Sequence, residues 1–405
     1  MRILIDALAI MPGINGGAVT YVSGMVNALA ETAPGDRFLV IGIAENRALF
    51  RDRANLAFRP VRIPQGRLFR LLYEQFILPL VALRWRADAV LFPGNLISLF
   101  LGEVAIPCVV TIHDASPDFY ERRFPRYFPR WKGMLQKLLA QHAARHSEFV
   151  LTNSNFARLE VADYTHVPAS KIRVSTPGCP QVQASETDVA TLARSYGFQQ
   201  PYVFMLGGSN KHKNYDATIR AFAEIKRRLN LPHHLLLAGT RGNGYDDILA
   251  ARRECGVEDC VHLLGYVPSA HLSALYGGAE LFLMPSLYEG FGFPVLEAME
   301  LGVPTLVANA GSLPEVAGDA AMYFDPYDVD SIAEAMGQAL SDSALRGELA
   351  ERGRQRSRHF DWQLTAAEIL ECLRLACLAP GTRPSPKKES DVVRPARPAG
   401  RASNV

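Results

Sequence analysis

Two glutamates eight residues apart, Glu289 and Glu297, bracket the stretch EGFGFPVLEAM. A carboxylate accepts hydrogen bonds, so two of them spaced across a loop and a helix can grip hydroxyls on one ligand. Between them, the backbone N–H groups of Gly290 to Phe293 open a helix whose N-terminus carries roughly half a unit of positive charge, which suits a phosphate. A plainer reading stands beside this one: a surface acid favoured by the helix dipole, followed by an exposed helix residue. A second glycine-rich stretch, GGSNKHKN at 207–214, adds the ammonium groups of Lys211 and Lys213 and suits a diphosphate. A third, PGINGG at 12–17, contributes Gly16 and Gly17 before a helix expected at Ala18. Neither is a Walker A loop or a clean G-x-G-x-x-G, so each is equally a plain strand–helix connection. Gly239, Gly242 and Gly244 read as a flexible loop.

These residues need elements to hold them. In the first half, apolar runs at 2–6, 38–43, 89–92, 108–112 and 149–152 read as strands buried on both faces. In the second half, 202–206, 234–238, 260–264, 281–284, 305–308 and 322–324 read likewise. Helical patterns alternate with them at 18–31, 215–229, 246–255, 269–277, 295–301 and 331–340. This alternation predicts an α/β chain of parallel sheets. The turn-rich stretch 175–185 marks the boundary between the halves. Glu289 falls in the loop after a buried strand, at the sheet edge where open α/β folds bind ligands. Pro294 suits the first turn of the helix carrying Glu297.

Length and composition narrow the function. The 405 residues exceed one ordinary domain, and 48% hydrophobic with 21% charged residues excludes a mostly disordered chain. A net charge of +2 gives no case for nucleic acid. The six cysteines form no C-x-x-C pair, so free thiols in a reducing compartment are expected. The apolar stretch 89–112 is broken by Pro93, Gly94, Gly102, Glu103 and Pro107, and no signal peptide is read at the start. A cytoplasmic protein is expected. His142 and His146 lie four apart without an H-E-x-x-H, and His233 and His234 are merely adjacent. Asp328 and Asp330 form a D-x-D, but they precede an S-x-x-E helix start, so capping rather than metal binding is expected. No metal and no cofactor is predicted. The basic, aromatic segment 119–145 reads as a solvated amphipathic helix after a proline-containing loop, or as peripheral contact with an anionic membrane at the inner face. Residues 379–405, rich in proline and arginine, read as a disordered tail.

At EGFGFPVLEAM the chain resembles the E-x7-E motif of the group 1 retaining glycosyltransferases of GT-B fold. LGYVP at 264–268, Leu275 with Tyr276, GVP at 302–304 and GSLPEVAGDA at 311–320 fit that family's C-terminal half in order. Residues 111–114, with His113, and Gly16 and Gly17 resemble loops of its acceptor half. The resemblance covers the chain except the tail. It implies two Rossmann-like domains facing across a cleft: 1–178 for the acceptor and 179–358 for the nucleotide sugar. A crossover helix at 359–378 and the tail at 379–405 would follow. It further implies residue roles. Glu297 would bind ribose, and Glu289 the donor sugar near its transferred carbon. Gly290, Phe291 and Gly292 would offer amides. Lys213 would neutralise the diphosphate, with Gly208 and Ser209 in the same turn. His113 would line the reaction centre. Tyr266 and Val267 would touch the base, and Gly16 and Gly17 would face the diphosphate or the acceptor. Many members carry arginine where this chain has Gly208; Ser209, Asn210 or Lys211 would compensate.

The implied reaction is physically coherent. Breaking a sugar–phosphate bond builds negative charge on the leaving diphosphate, which fixed cations and backbone dipoles stabilise. The expected enzyme is a retaining, metal-independent hexosyltransferase. It would use a nucleotide diphosphate sugar, with GDP-mannose preferred on overall resemblance, and act on a glycan or lipid-linked acceptor. A sugar-nucleotide epimerase of the same fold and a non-catalytic nucleotide-sugar-binding protein are the alternatives.

Overall fold

The computed structural model describes residues 1–10, 16–62, 67–95, 97–98, 106–182 and 185–378. The tail at 379–405 and positions 12–15 of the first glycine-rich stretch lie outside the described residues. The described strands form two parallel sheets. The first contains β1 (Arg2–Asp6), β2 (Arg37–Gly42), β3 (Leu56–Pro60), β4 (Ala89–Phe92), β5 (Cys108–Thr111), β6 (Phe149–Thr152) and β7 (Ile172–Val174), in the order β3-β2-β1-β4-β5-β6-β7. The second contains β8 (Tyr202–Leu206), β9 (His234–Ala238), β10 (Val261–Gly265), β11 (Leu281–Met284), β12 (Thr305–Ala308) and β13 (Met322–Phe324), in the order β10-β9-β8-β11-β12-β13. The GT-B expectation of two Rossmann-like units therefore holds.

Side chains alternate across a strand, and both faces here are apolar. Ile3 and Ile5 join the core under the helix Gly16–Thr32, while Leu4 joins the core on the opposite face. β3 and β7 escape a search for apolar runs because they are the two edge strands. β3 reads LAFRP and is half exposed, and β7 has three residues.

Strand order reverses between β1 and β4, and again between β8 and β11. Open α/β sheets bind ligands outside the carboxyl ends of the strands flanking such a reversal. The connections following β8 and β11 are 207–214 and 285–292, the two segments with the chemistry noted above.

The helix Trp362–Leu378 returns to the first lobe and packs along Gly16–Thr32. A Cβ at Gly24 would lie 2.4 Å from the Trp362 ring, so glycine makes that close crossing possible. Trp362 Nε1 also donates to the Cys179 carbonyl at 3.0 Å.

Several boundaries differ from the sequence reading. The first helix begins at Gly16 rather than Ala18, so both glycines are its opening residues and not a turn before it. The helix expected at 295–301 spans Phe293–Glu300, with Pro294 in its first turn. The helix expected at 331–340 begins at Val329. Its cap is Asp328, whose Oδ1 accepts the Asp330 amide at 3.0 Å.

Candidate active site

A cleft of about 1130 Å³ runs between the lobes. Gly16, Gly17 and His113 line it from one side, and Gly208, Lys213, Glu289 and Glu297 from the other. Tyr266, Val267, Gly290, Phe291 and Gly292 also line it. Residues more than 270 positions apart in sequence are thus brought to one wall system.

Lys213 Nζ lies 2.6 Å from Glu289 Oε1, and both side chains are only 14% exposed. Lys213 ends the one-turn 3-10 helix Lys211–Lys213 that follows β8, and Glu289 stands on the loop after β11. The two loops are joined directly, since the Leu287 amide donates to the His212 carbonyl at 2.8 Å. Burial pushes the Glu289 carboxyl up, but the Lys213 ammonium and its hydrogen bond outweigh that and hold it below the usual carboxylate range. Glu289 is therefore a carboxylate across neutral pH, held against Lys213 Nζ.

Ser312 fixes the Glu289 loop from beneath. It is fully buried, and its Oγ lies 2.9 Å from the Glu289 carbonyl and 2.7 Å from the Phe291 carbonyl. Gly290 closes the loop against the other lobe. A Cβ there would sit 2.6 Å from the His113 carbonyl, so any side chain would push the lobes apart. The Gly290 carbonyl accepts from Ser154 Oγ at 2.9 Å, across the same interface.

Glu297 occupies the second turn of its helix. The Tyr276 phenol donates to its Oε2 at 2.7 Å. Burial raises the Glu297 carboxyl, and the phenol partly offsets this. The two acids of the motif thus have opposite electrostatic settings, because one has an ammonium neighbour and the other a neutral donor.

His113 lines the cleft with both ring nitrogens engaged. Nε2 faces the Pro93 carbonyl at 3.0 Å and must donate, and Nδ1 accepts from Asn153 Nδ2 at 2.9 Å. Burial lowers its pKa despite these bonds. The imidazole is held neutral and in one tautomer, with its ring edge-on to Tyr21 at 4.9 Å. It can line a reaction centre, but it has no free nitrogen with which to take a proton.

Three expectations fail here. Ser209 does not line the cleft; its Oγ accepts the Gly242 amide at 2.7 Å and so ties down the following loop. Lys211 cannot replace the missing arginine, because its ammonium is spent on Asp216 at 2.7 Å and Asp247 at 3.1 Å. The glycines at 239–244 are not a slack loop. A Cβ on Gly242 would lie 2.6 Å from Asn210 Oδ1 and 2.7 Å from the Asn210 nitrogen, so this loop is packed onto the turn at 207–214.

The sequence reading also missed residues that hold the lobes together. The Tyr120 hydroxyl is hydrogen-bonded to His212 Nδ1 at 2.7 Å, and the Tyr127 phenol donates to Asp247 at 2.7 Å. Tyr120 and Tyr127 of the segment 119–145 thus face the second lobe, while Trp131 is exposed. Glu315 likewise reaches across to Asn155 and Phe156. Both signals sit in plain view as polar residues beside motifs, but nothing in their spacing tells which lobe they meet. Among the described residues no cluster of three or more His, Cys, Asp or Glu is arranged for a metal ion.

Comparison with known proteins agrees with this geometry. The family described as "Glycosyl transferases group 1" matches residues 191–356, and "Glycosyltransferase Family 4" matches residues 15–180. The chain is 32% identical over 271 residues to an O-antigen chain mannosyltransferase B of Escherichia coli, covering 66% of this chain and 70% of that one. Two solved structures share the fold. A sucrose-phosphate synthase from Thermosynechococcus elongatus superposes with a TM-score of 0.72 at 19% identity, covering 93% of this chain and 98% of that one. Anabaena Alr3699/HepE in complex with UDP-glucose superposes with a TM-score of 0.70 at 19% identity, covering 93% and 100%. With both halves matched in order around one cleft, the chain belongs to the group 1 glycosyltransferases.

Proposed function

We propose that the protein transfers mannose from a nucleotide diphosphate sugar to a glycan or lipid-linked glycan in polysaccharide synthesis, with retention at the sugar carbon and without a metal. One observation carries the site assignment: the Lys213–Glu289 pair, barely exposed and held at the cleft by two bonded loops. The relative named as an O-antigen chain mannosyltransferase supports the choice of sugar and product class.

In this reading the donor diphosphate displaces the Glu289 carboxylate from part of the Lys213 ammonium. Lys213 then neutralises charge as the sugar–phosphate bond breaks. Freed from its partner, Glu289 accepts from hydroxyls of the donor sugar. Glu297, aligned by Tyr276, takes the ribose hydroxyls. The amides at Gly290 to Gly292 receive the sugar and phosphate oxygens. Tyr266 and Val267 flank the base, and Gly16 and Gly17 admit the diphosphate or acceptor because neither has a side chain. His113 shapes the sugar pocket as a neutral ring. Gly208, Lys213 and their turn form the diphosphate floor, with a single cation.

A lipid-linked acceptor brings the enzyme to an anionic membrane face. In this reading the contact is peripheral; no helix among the described residues is long and apolar enough to cross a membrane. The test is product analysis with labelled GDP-mannose, UDP-glucose and other nucleotide sugars, with and without a mannose-terminated acceptor. Transfer that needs the acceptor and collapses in Glu289→Gln supports the proposal. Conversion of the donor alone into an isomeric nucleotide sugar would establish an epimerase instead.

A further inference from the structure

Each member of the Lys213–Glu289 pair follows a residue that the opposite lobe holds. His212 precedes Lys213, and Tyr288 precedes Glu289. Both meet one short stretch of the first lobe, Ala115 and the helix Ser116–Arg123, which comes directly after His113 and Asp114.

Tyr120, on that helix, is 7% exposed. Its hydroxyl is hydrogen-bonded to His212 Nδ1 at 2.7 Å and accepts the His212 backbone amide at 3.3 Å. One oxygen thereby fixes both the ring and the main chain of the residue before Lys213. The amide before that is fixed as well. Lys211 N–H donates to Asn243 Oδ1 at 2.9 Å, and that oxygen lies 3.5 Å from the Tyr120 hydroxyl. A single 3-10 turn such as Lys211–Lys213 has few bonds of its own, so outside contacts set its geometry.

Tyr288 repeats the arrangement on the second loop. It is buried, and its hydroxyl accepts the Ala115 amide at 2.9 Å. Its ring stacks on Phe119 with centroids 4.8 Å apart and meets Phe156 edge-on at 5.5 Å. The connection 285–292 contains no helix or strand, so these contacts and Ser312 decide where Glu289 stands. For packing alone, phenylalanine would serve at both positions. Instead each buried hydroxyl spends its bond on the contact that holds a neighbour of the pair.

We infer that Tyr120 and Tyr288 are positioning residues for cleavage of the donor, making the placement of Lys213 and Glu289 depend on the acceptor lobe. This rests on the transferase reading above. Lys213 must track the charge that builds on the departing diphosphate, and a misplacement of about 1 Å costs roughly a hundredfold in rate. Donor binding also draws on Glu297, which Tyr276 holds within the second lobe. The two tyrosines therefore act on kcat and leave the donor KM nearly alone.

The test is the steady-state kinetics of Tyr120→Phe and Tyr288→Phe, with Tyr127→Phe as the comparison. Tyr127→Phe loses an equally short bond between the lobes, but one made to Asp247 and not to a neighbour of the pair. Tyr120→Phe keeps the ring, so its melting temperature should stay within a few degrees of wild type. Tyr288→Phe also leaves the Ala115 amide without its partner, so its rate is counted per folded molecule. In both, kcat should fall about tenfold or more while donor KM changes by less than about twofold. Tyr127→Phe should hold its kcat within about twofold. An equal loss of kcat in Tyr127→Phe overturns the inference, in favour of general adhesion between the lobes. So does a loss carried by KM alone, or unchanged kinetics in Tyr120→Phe or Tyr288→Phe. A double-mutant cycle checks the route. In a His212→Phe background, Tyr120→Phe should cost less than about twofold, and a full multiplicative loss overturns the link through His212. Hydrogen exchange of the full chain without substrate reads the contact apart from activity. The Leu287 amide, which donates to the His212 carbonyl, should exchange faster in Tyr120→Phe than in wild type, and unchanged exchange overturns the inference. A wild type that transfers no sugar would count against the transferase reading, while the exchange result still reports whether the first lobe places the two loops.

Discussion

Glu315, from the second lobe, caps a helix of the first lobe at Asn155. Its Oε1 accepts from the Asn155 backbone amide at 2.8 Å and from Asn155 Nδ2 at 2.9 Å, and its Oε2 accepts the Phe156 amide at 3.1 Å. The helix Asn155–Thr165 thus has two caps. Its own Ser154 Oγ receives the Ala157 amide, and a carboxylate 160 residues away in sequence takes the orphan donors of its first turn. Hydrogen bonds to a charged acceptor contribute about 1.5–3 kcal/mol each, so this contact biases how the lobes face each other. Glu315→Ala should lower transfer about tenfold and raise the radius of gyration in small-angle scattering. Equal scattering and equal activity would show that the contact has no part in holding the lobes.

Gly290→Ala tests the same interface from inside the cleft. The added methyl meets the His113 carbonyl at 2.6 Å and Asp114 Cβ at 2.9 Å. The His113 carbonyl is backbone and cannot yield without separating the lobes. Transfer should fall by more than tenfold while far-ultraviolet circular dichroism is preserved. A variant with full activity would place the Glu289 loop differently from the position described above.

Removing either member of the Lys213–Glu289 pair should have unequal effects. Glu289→Gln leaves an ammonium that the donor diphosphate can still engage, so the fold should persist while transfer drops by about two to three orders of magnitude. Lys213→Met leaves a buried carboxylate uncompensated, which costs about 3 kcal/mol of stability at neutral pH. Without the ammonium, burial is free to raise the Glu289 pKa. Urea titration at pH 5 and pH 8 would read this, with the variant recovering stability at the lower pH.

Tyr276→Phe removes the one hydrogen bond that lowers an otherwise raised Glu297 carboxyl. The carboxyl should then stay protonated to higher pH and accept ribose hydroxyls less well. The donor KM should rise, most of all on the acid side, while kcat changes little. A KM that is pH-independent in both proteins would remove Glu297 from donor binding.

His212 makes the clasp between lobes sensitive to acid. Burial and the neighbouring Lys213 push its pKa down to about 4. Its Nδ1 lies 2.7 Å from the Tyr120 hydroxyl inside that buried contact. A histidine with a depressed folded-state pKa is protonated first in the unfolded chain. Stability is therefore full above about pH 6.5 and declines as pH falls toward 4. Differential scanning calorimetry across that window should show the decline, and His212→Gln should flatten it. A wild-type profile with no slope there would contradict the assignment.

How much of this was legible beforehand divides along a physical line. The strands at 2–6, 89–92, 202–206 and 281–284 announce themselves, because a strand buried on both faces must be apolar at every position. Glu289, Glu297 and Lys213 stand out because glycine-rich turns before helices are the places where backbone and charge can meet an anion. Local periodicity and turn chemistry are properties of neighbouring residues, and a linear chain displays them directly. What Lys211, Ser209 and Tyr120 do was not displayed. Lys211 and Lys213 are two residues apart with the same side chain, yet one pairs with Asp216 and Asp247 and the other with Glu289 on the neighbouring loop. Ser209 turns to a loop amide, and Tyr120 reaches His212 from 92 positions away. Side-chain direction at a sheet edge depends on which loops the strand order brings alongside, and that order is a property of the folded whole. The same holds for the outer face of 67–85: only packing against one side of a sheet decides which of its leucines are left facing out.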